Sequence, residues 1–236
     1  MPKNLGGLIM LDTRKKKIFK TLVQEHIKTG MPLGSSFLLS KMGLDISSAT
    51  VRNEFAELEE CGLLYQPHTS AGRVPSEAGF KFFVDNLMED RELDEKTKSS
   101  LKNIKKQYKA NDKELFKALA KEIVEISGET VIVAFDANDI YYTGFSNLFS
   151  KPELQGYDFN MGAIVDEMND AMREAYKKIN NAKPQIILGA ENPFNPSCAS
   201  IFSKTNSCLI VILGLLRIDY EKNKSILNFV NELLGE

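Results

Sequence analysis

Residues 47–85 read SSATVRNEFAELEECGLLYQPHTSAGRVPSEAGFKFFVD, and their interpretation decides the fold of the N-terminal part of the chain. Val51, Phe55 and Leu58 recur at i, i+4 and i+7, which predicts a helix with one stripe against a core. At about 100° per residue the opposite face carries Ala49, Arg52 and Asn53, with Thr50 on one shoulder. A helix in a DNA major groove uses such groups: guanidinium and amide for base edges, methyls for thymine, hydroxyls for phosphate. Ser47 or Ser48 is the expected N-cap, which turns free backbone N–H groups and the positive helix end toward a phosphate. Taken alone, a capped surface helix explains these residues equally well.

The residues C-terminal to this helix favour the DNA-reading interpretation. Gly62 is expected to end the helix, Leu63 to Gln66 to form a short strand, and Arg73 to Pro75 to form the returning strand. The loop between them, Pro67 to Gly72, lacks large apolar groups, as a hairpin tip that approaches another backbone closely must. Beside a recognition helix, such a tip lies on phosphates or in the minor groove. An inert loop or an enzyme's phosphate nest remain the alternatives, and nothing catalytic stands near it in sequence.

Upstream, Asp12 to Thr29 reads as a helix capped by Asp12, with Ile18, Leu22, Val23 and Ile27 along one side. After the turn Gly30-Met31-Pro32, Ser35 is expected to cap a second helix running to Lys41, and Gly43 to Ile46 to turn into the third. Three helices and a wing predict a winged helix-turn-helix domain over roughly residues 8–88, so residues 1–88 are assigned to DNA binding.

Composition narrows the remaining classes. With 236 residues, 43% hydrophobic and 26% charged, the chain suits two modest globular domains. No apolar run approaches the roughly 18 residues that span a bilayer, and the start MPKNLGGLIMLDTRKKK lacks a signal-peptide core, so a cytoplasmic location without membrane contact is expected. Cys61, Cys198 and Cys208 are scattered and only His26 and His68 add imidazole, which argues against a zinc or disulfide framework; no cofactor is expected. The net charge of −2 runs against nucleic acid at first sight. Its distribution does not. Residues 1–53 hold nine bases (Lys3, Arg14, Lys15, Lys16, Lys17, Lys20, Lys28, Lys41, Arg52) against three acids (Asp12, Glu25, Asp45). Glu54, Glu57, Glu59 and Glu60 crowd the far end of the third helix, so a positive leading edge with an acidic rear would orient the domain on DNA. The run Arg14 to Lys17 reads as a solvated helix face, the commoner case for such runs, or as a phosphate contact, and one or two of the four are expected to touch phosphate.

Three segments then carry a resemblance: TGMPLGS at 29–35, SSATVRNEFAELEECG at 47–62 and QPHTSAGRVPSEAGFKFFVD at 66–85. Together they resemble the N-terminal domain of the HrcA family of bacterial heat-inducible transcription repressors. GFSNLFSKPEL at 144–154, LGAEN at 188–192 and LGLLRIDY at 213–220 resemble that family's C-terminal segments, in the same order. Two departures stand out: Ser36 and Phe37 occupy positions where the family usually has a basic residue after Gly-Ser, and Leu215 stands where a proline is usual. A third is length. Family members typically carry a fuller GAF-like sensor domain with an inserted dimerisation subdomain; here Ile123 to Phe135 leads almost directly into Gly144, so that subdomain and some strands are expected to be missing.

Beyond Met88 the chain turns strongly charged, and Leu93, Leu101, Ile104 and Tyr108 predict a connecting helix within residues 89–127. A second helix from Asp112 to Ser127 shows the stripe Leu115, Phe116, Leu119, Ile123 and Ile126, which needs cover, from a second subunit if not from within. For residues 128–236 the pattern gives a hairpin (Thr130–Phe135, Ile140–Phe145), a helix Met161–Ile179, strands Gln185–Leu188 and Ser207–Leu215, and a last helix Tyr220–Leu234. The fold class is therefore α+β: a winged helix-turn-helix domain, a helical connector and a reduced GAF-like dimerisation or regulatory domain. Glu191 and Asn192 beside Gly189 suggest a small polar pocket or simply a turn, and Arg217 and Asp219 a structural pair or an interface contact.

The resemblance implies a repressor of heat-shock chaperone operons, not an enzyme. It implies a homodimer on a palindromic CIRCE-type inverted repeat of double-stranded DNA, with the chaperonin GroEL as a further partner. Arg52 and Asn53 are the expected base-edge contacts and Ala49 lies on the same face. Lys41, Ser47, Ser48 and Thr50 are expected at phosphates, and His68, Thr69, Ser70, Gly72 and Arg73 form the expected wing contact. Two other classes compete: a winged-helix regulator whose C-terminal domain senses a small molecule, and a protein-interaction module that does not bind DNA.

Overall fold

The structure, a computed structural model, describes residues 4–5, 8–43, 46–108, 112–154, 161–181 and 183–235. The chain forms two compact units, Met1–Met88 and Glu89–Glu236.

The first unit opens with a small antiparallel pair, β1 (Asn4–Leu5) and β2 (Leu8–Ile9), followed by α1 (Thr13–Thr29), α2 (Ser35–Met42) and α3 (Ser48–Glu60). The hairpin β3 (Leu64–Tyr65) and β4 (Val74–Pro75) and a fourth helix, α4 (Glu77–Asn86), complete it. Asp12 caps α1 by accepting from the Lys15 amide at 2.8 Å, as its position in the sequence predicts. Ser35 does not cap α2: it is the first helical residue, and Gly34 stands at the cap without a side chain to accept a bond. The predicted turn from Gly43 to Ile46 includes residues 44 and 45, which lie outside the described residues. Helix α3 ends at Glu60, two residues before Gly62, which adopts φ 73°. There the Gly62 amide donates to Glu59 O and the Leu63 amide to Leu58 O, the paired bonds of a Schellman turn that only a residue tolerant of positive φ completes without strain. Ile18, Phe19, Leu22 and Val23 of α1, Leu38 of α2, Val51, Phe55 and Leu58 of α3, and Phe80 and Phe83 of α4 are buried and form the core.

The second unit is a five-stranded antiparallel sheet between helices. The strands β5 (Thr130–Ala134), β6 (Ile140–Thr143), β7 (Gln185–Leu188), β8 (Cys198–Lys204) and β9 (Leu209–Leu215) lie in the order β6-β5-β9-β8-β7. Its helices are α5 (Glu95–Gln107), α6 (Lys113–Ser127), the short α7 (Phe145–Phe149), α8 (Met161–Lys178) and α9 (Tyr220–Leu234). Ile132, Ala134, Leu209, Val211, Leu213 and Leu215 share a buried cluster with Leu148 of α7 and Met168, Met172 and Ala175 of α8. The alternate residues Val131, Val133, Ile210 and Ile212 are equally buried on the other face, where α6 packs on β5 and α9 on β8. A sheet covered on both faces explains why β9 reads as a continuous apolar run.

Three expectations change here. The stripe Leu115, Phe116, Leu119 and Ile123 of α6 is buried within the same chain, against β5 and α5, and needs no second subunit. Strand β8, Cys198–Lys204, and helix α7 have no counterpart among the elements expected from sequence; with β8 in place the sheet is continuous. Arg217 and Asp219 do not pair with each other. Arg217 donates through Nη2 to Glu153 Oε2 at 3.0 Å and also bonds Oε1, while Asp219 caps α9 and meets Arg91 at 2.9 Å. Asn192, buried at the end of the LGAEN segment, donates to Ile187 O and Ser200 Oγ at 2.9 Å, so it organises the turn that the polar-pocket reading competed with.

Candidate nucleic-acid interface

The face of α3 turned away from the core is built by exclusion. Once Val51, Phe55 and Leu58 are buried, Ala49, Arg52, Asn53 and Ala56 at i, i+3, i+4 and i+7 are left exposed. Ser47 begins the helix with its Oγ accepting from the Thr50 amide at 3.0 Å and 3.0 Å from Thr50 Oγ1, so the cap hydroxyl is already engaged. Ser48 and Thr50 are half-buried. Lys41 is exposed in the last turn of α2, with its Nζ 5.5 Å from the centre of the Phe37 ring.

The hairpin is held beside this helix by its backbone. Leu33, just before α2, and Arg73 exchange two N–H···O bonds of 2.9 Å each, so the returning strand is tied to the turn that precedes α2. Gly72 lies so close to that turn that a Cβ there would sit 2.6 Å from the Leu33 nitrogen and nearer still to its carbonyl. The tip is braced by Gln66, whose Nε2 donates to Thr69 O and Ala71 O at 2.9 Å, and by the Ala71 amide on His68 O. His68, Thr69 and Ser70 surround the end of the tip, all three open to solvent.

Between α2, α3 and the tip lies an open cleft of about 420 Å³, walled by Ser36, Phe37, Arg52, Gln66, Ser70 and Gly72 among others. Of the residues expected from sequence, the structure therefore gathers Arg52, Ser70, Gly72 and Arg73 around one cleft. It spreads Ser47, Ser48, Ala49, Thr50 and Asn53 along α3, and leaves Lys41, His68 and Thr69 outside the cleft. Phe37 and Gln66 were missed: an isolated aromatic and a glutamine carry no periodic signal.

Charge is arranged differently from the sequence expectation. Glu54 is buried, not part of an acidic rear: it accepts from Arg14 Nε at 2.8 Å and lies 3.2 Å from Lys15 Nζ. Lys15 also meets Asp12 and Glu57, each at 3.0 Å. Burial alone would lower the Lys15 pKa, but the carboxylates of Asp12, Glu57 and Glu54 outweigh it and raise the pKa above the usual lysine value. The backbone bond from Lys15 holds the Asp12 carboxyl below its usual range. Arg14 and Lys15 thus serve the α1–α3 contact, and of the basic run only Lys16 and Lys17 are left exposed with no ion pair to a described residue. Arg73 is likewise drawn back, its Nε 2.8 Å from Glu59 Oε2 but off the hydrogen-bonding direction. Arg52 makes no ion pair or hydrogen bond to a described residue, which leaves its guanidinium to the cleft and to solvent.

Among the described residues no helix is long and apolar enough to cross a membrane. The three cysteines are free thiols, and burial pushes that of Cys198 up to about 12.

With this geometry established, comparison with known proteins gives a consistent result. The family profile described as HrcA protein C terminal domain matches residues 80–223, more than half of the chain. The heat-inducible transcription repressor HrcA of Desulforudis audaxviator is 40% identical over 146 residues, which are 62% of this chain and 38% of that protein. That of Desulfitobacterium hafniense is 39% identical over 185 residues, 78% of this chain and 49% of that protein. The chain therefore spans about half, or less, of the length of these relatives. A crystal structure described as that of a hypothetical protein superposes with a TM-score of 0.73 over 96% of this chain and 98% of its own, at 15% identity, a likeness of fold alone.

Proposed function

This chain belongs to the HrcA family, whose relatives are named heat-inducible transcription repressors, and from that premise we propose that it is a transcriptional repressor that binds DNA sequence-specifically. In this reading the first unit is a winged helix-turn-helix domain with α3 as the recognition helix and the β3–β4 hairpin as the wing. One observation carries it. Arg52 stands unpaired among the described residues on an exposed face of small and polar residues, at the wall of a cleft shared with the hairpin tip. A guanidinium held this way suits a bidentate contact to a guanine edge, with Asn53 beside it suited to adenine. Lys41, Ser47, Ser48 and Thr50 would serve phosphates, and His68 to Arg73 would follow the backbone beyond the groove.

The second unit acts, on this reading, as a reduced GAF-like dimerisation and regulatory domain in the bacterial cytoplasm. A two-fold dimer sets two recognition helices about one helical turn or a multiple apart on the duplex, so the operator is an inverted repeat, of the CIRCE type that the family resemblance implies. The targets are heat-shock chaperone operons, and the chaperonin GroEL is the partner that assists folding. A small-molecule sensor is less favoured. The apolar cavity walled by Leu148, Met168, Phe194, Cys198 and Leu213 has room for about 20 Å³, near the minimum that holds a single water.

Fluorescence anisotropy with three labelled duplexes, an inverted repeat, a single half-site and a scrambled control, each at two salt concentrations, tests the proposal. Tight binding to the repeat, weaker binding to the half-site and affinity that falls with salt are expected. Equal, weak binding to all three would overturn it.

A further inference from the structure

Phe37 has no role in the core or in the contacts assigned to DNA so far. Its neighbours on α2, Leu38 and Met42, are buried in the core, whereas Phe37 is 41% exposed. Its ring lines the cleft that also holds Arg52, Gln66, Ser70 and Gly72. Leu33 and Phe55 in the same lining are buried core residues and Ala71 is small, so Phe37 is the large apolar group that the cleft offers to a visitor. Lys41 stands over the ring at 5.5 Å and adds a cation beside it.

We propose that Phe37 is a specificity-determining residue whose ring packs against the C5-methyl group of a thymine next to the base pair that Arg52 contacts. The proposal rests on the DNA-binding reading. If α3 enters the major groove with Arg52 at a base edge, the hairpin-tip side of the cleft is turned to the backbone and the Phe37 side to the base step beside the one that Arg52 contacts. The distinctive apolar group a base edge presents in that groove is the thymine methyl, and an aromatic ring is a suitable partner for it. The cation Lys41 draws the phosphates without selecting sequence; the ring adds a contact that carries sequence information and no charge. Its signature is consequently independent of salt, unlike that of any lysine or arginine nearby.

The test uses the full chain and the inverted-repeat duplex, with each thymine of a half-site replaced in turn by deoxyuridine, which lacks only the methyl. The unsubstituted protein is expected to lose about fourfold in affinity at one position of the half-site, the worth of one buried methyl group. Phe37→Ala is expected to lose at least as much on the thymine duplex, to be indifferent to deoxyuridine at that position, and to keep the same salt slope. Phe37→Leu, which retains an apolar group, is expected to keep part of the thymine preference. A thermal melt by circular dichroism that matches the unsubstituted chain confirms that each variant is folded. Phe37→Ala with unchanged affinity, or a deoxyuridine profile identical with and without the ring, overturns the proposal while leaving the DNA-binding reading intact. Absence of any preference for the repeat over the scrambled duplex in the unsubstituted chain overturns the DNA-binding reading and this proposal with it.

Discussion

Glu54 of α3 and Lys15 of α1 approach to 3.2 Å with the carboxylate 4% and the ammonium-bearing side chain 13% exposed, and this contact ties α3 to α1. Paired charges this far from water depend on each other, because the survivor of a broken pair keeps its desolvation cost. Because Lys15 keeps Asp12 and Glu57, Glu54→Gln is expected to lower the stability of the first unit by about 1–2 kcal/mol, read from its urea transition, with the second unit's transition unmoved. A loss under about 0.5 kcal/mol would show that the pair contributes no more than a surface contact.

Arg52 and Lys41 should differ in kind. Arg52→Ala is expected to cost about 1–3 kcal/mol in operator binding and to relax selectivity at one base pair. Lys41→Ala should weaken binding to operator and scrambled duplex alike and reduce the salt slope by about one. Competition assays over a panel of single-base operator variants separate the two. Loss of selectivity from Lys41→Ala would reverse the assignment.

Arg73 is held by Glu59 at 2.8 Å, so its charge is already balanced inside the protein. Glu59→Ala should free that cation, steepen the salt dependence of DNA binding by up to about one charge and raise affinity at low salt. Arg73→Ala should cost less than Arg52→Ala. A larger loss from Arg73→Ala would mean that the guanidinium leaves Glu59 for the DNA.

Gly72→Ala places a Cβ against the backbone of Leu33, where no rotamer can relieve the contact. The hairpin must shift away from the turn that precedes α2, opening the Leu33–Arg73 bridge. Duplex affinity is expected to fall roughly tenfold, with a loss of about 1–3 kcal/mol in the stability of the first unit. Hydrogen exchange at the Leu33 and Arg73 amides reports the shift directly; unchanged protection there would refute it.

Glu129 supplies the pH dependence. Its side chain is 7% exposed, and burial pushes its pKa up despite Lys151 at 3.1 Å and the more distant Arg217. A carboxyl whose folded pKa exceeds its unfolded value of 4.5 favours folding fully below 4.5, and that contribution is lost as pH rises through the folded value. Above 4.5 folding must either bury the charge or take up a proton, and both cost stability. Glu129→Gln is therefore expected to raise the melting temperature of the second unit at pH 7, with the gain shrinking toward zero as pH falls below about 4.5. A gain that is constant across that range would show that ionisation is not its cause.

Local signals in the sequence located most elements. Asp12 and Ser47 sit where caps were expected, Gly62 closes α3, and β5–β6, α8 and α9 follow their apolar periods to within a residue or two. The failures in β8 and at Glu54 share a cause: each depends on a partner in another element. Strand β8 carries Ser200 and Ser203 in a fully buried position, which reads as a loop until Asn192 and Asn231 are seen donating to those hydroxyls. Glu54 lies between core positions of α3 and reads as a solvated acid; Arg14, forty positions earlier, makes it an interior one. The exposed face of α3 was legible because it is the complement of a periodic stripe. The cleft was not, because it joins three separate segments.

The order of strands in the second unit also sets an order of events. Strand β9 lies between β5 and β8, pairing Thr130 with Leu213 on one side and Ile201 with Ile212 on the other. Of the five strands it is the last to leave the ribosome. Until it arrives, β5 and β8 can make only their outer pairings and present a bare edge inward, and the apolar faces destined for α6 and α8 lack their middle. The first unit closes within its first 88 residues and has no such wait. A nascent chain therefore passes through a stage with a finished N-terminal unit and an open, sticky sheet, and the fate of that intermediate under heat is a matter of kinetics: whether β9 inserts before another chain's strand does.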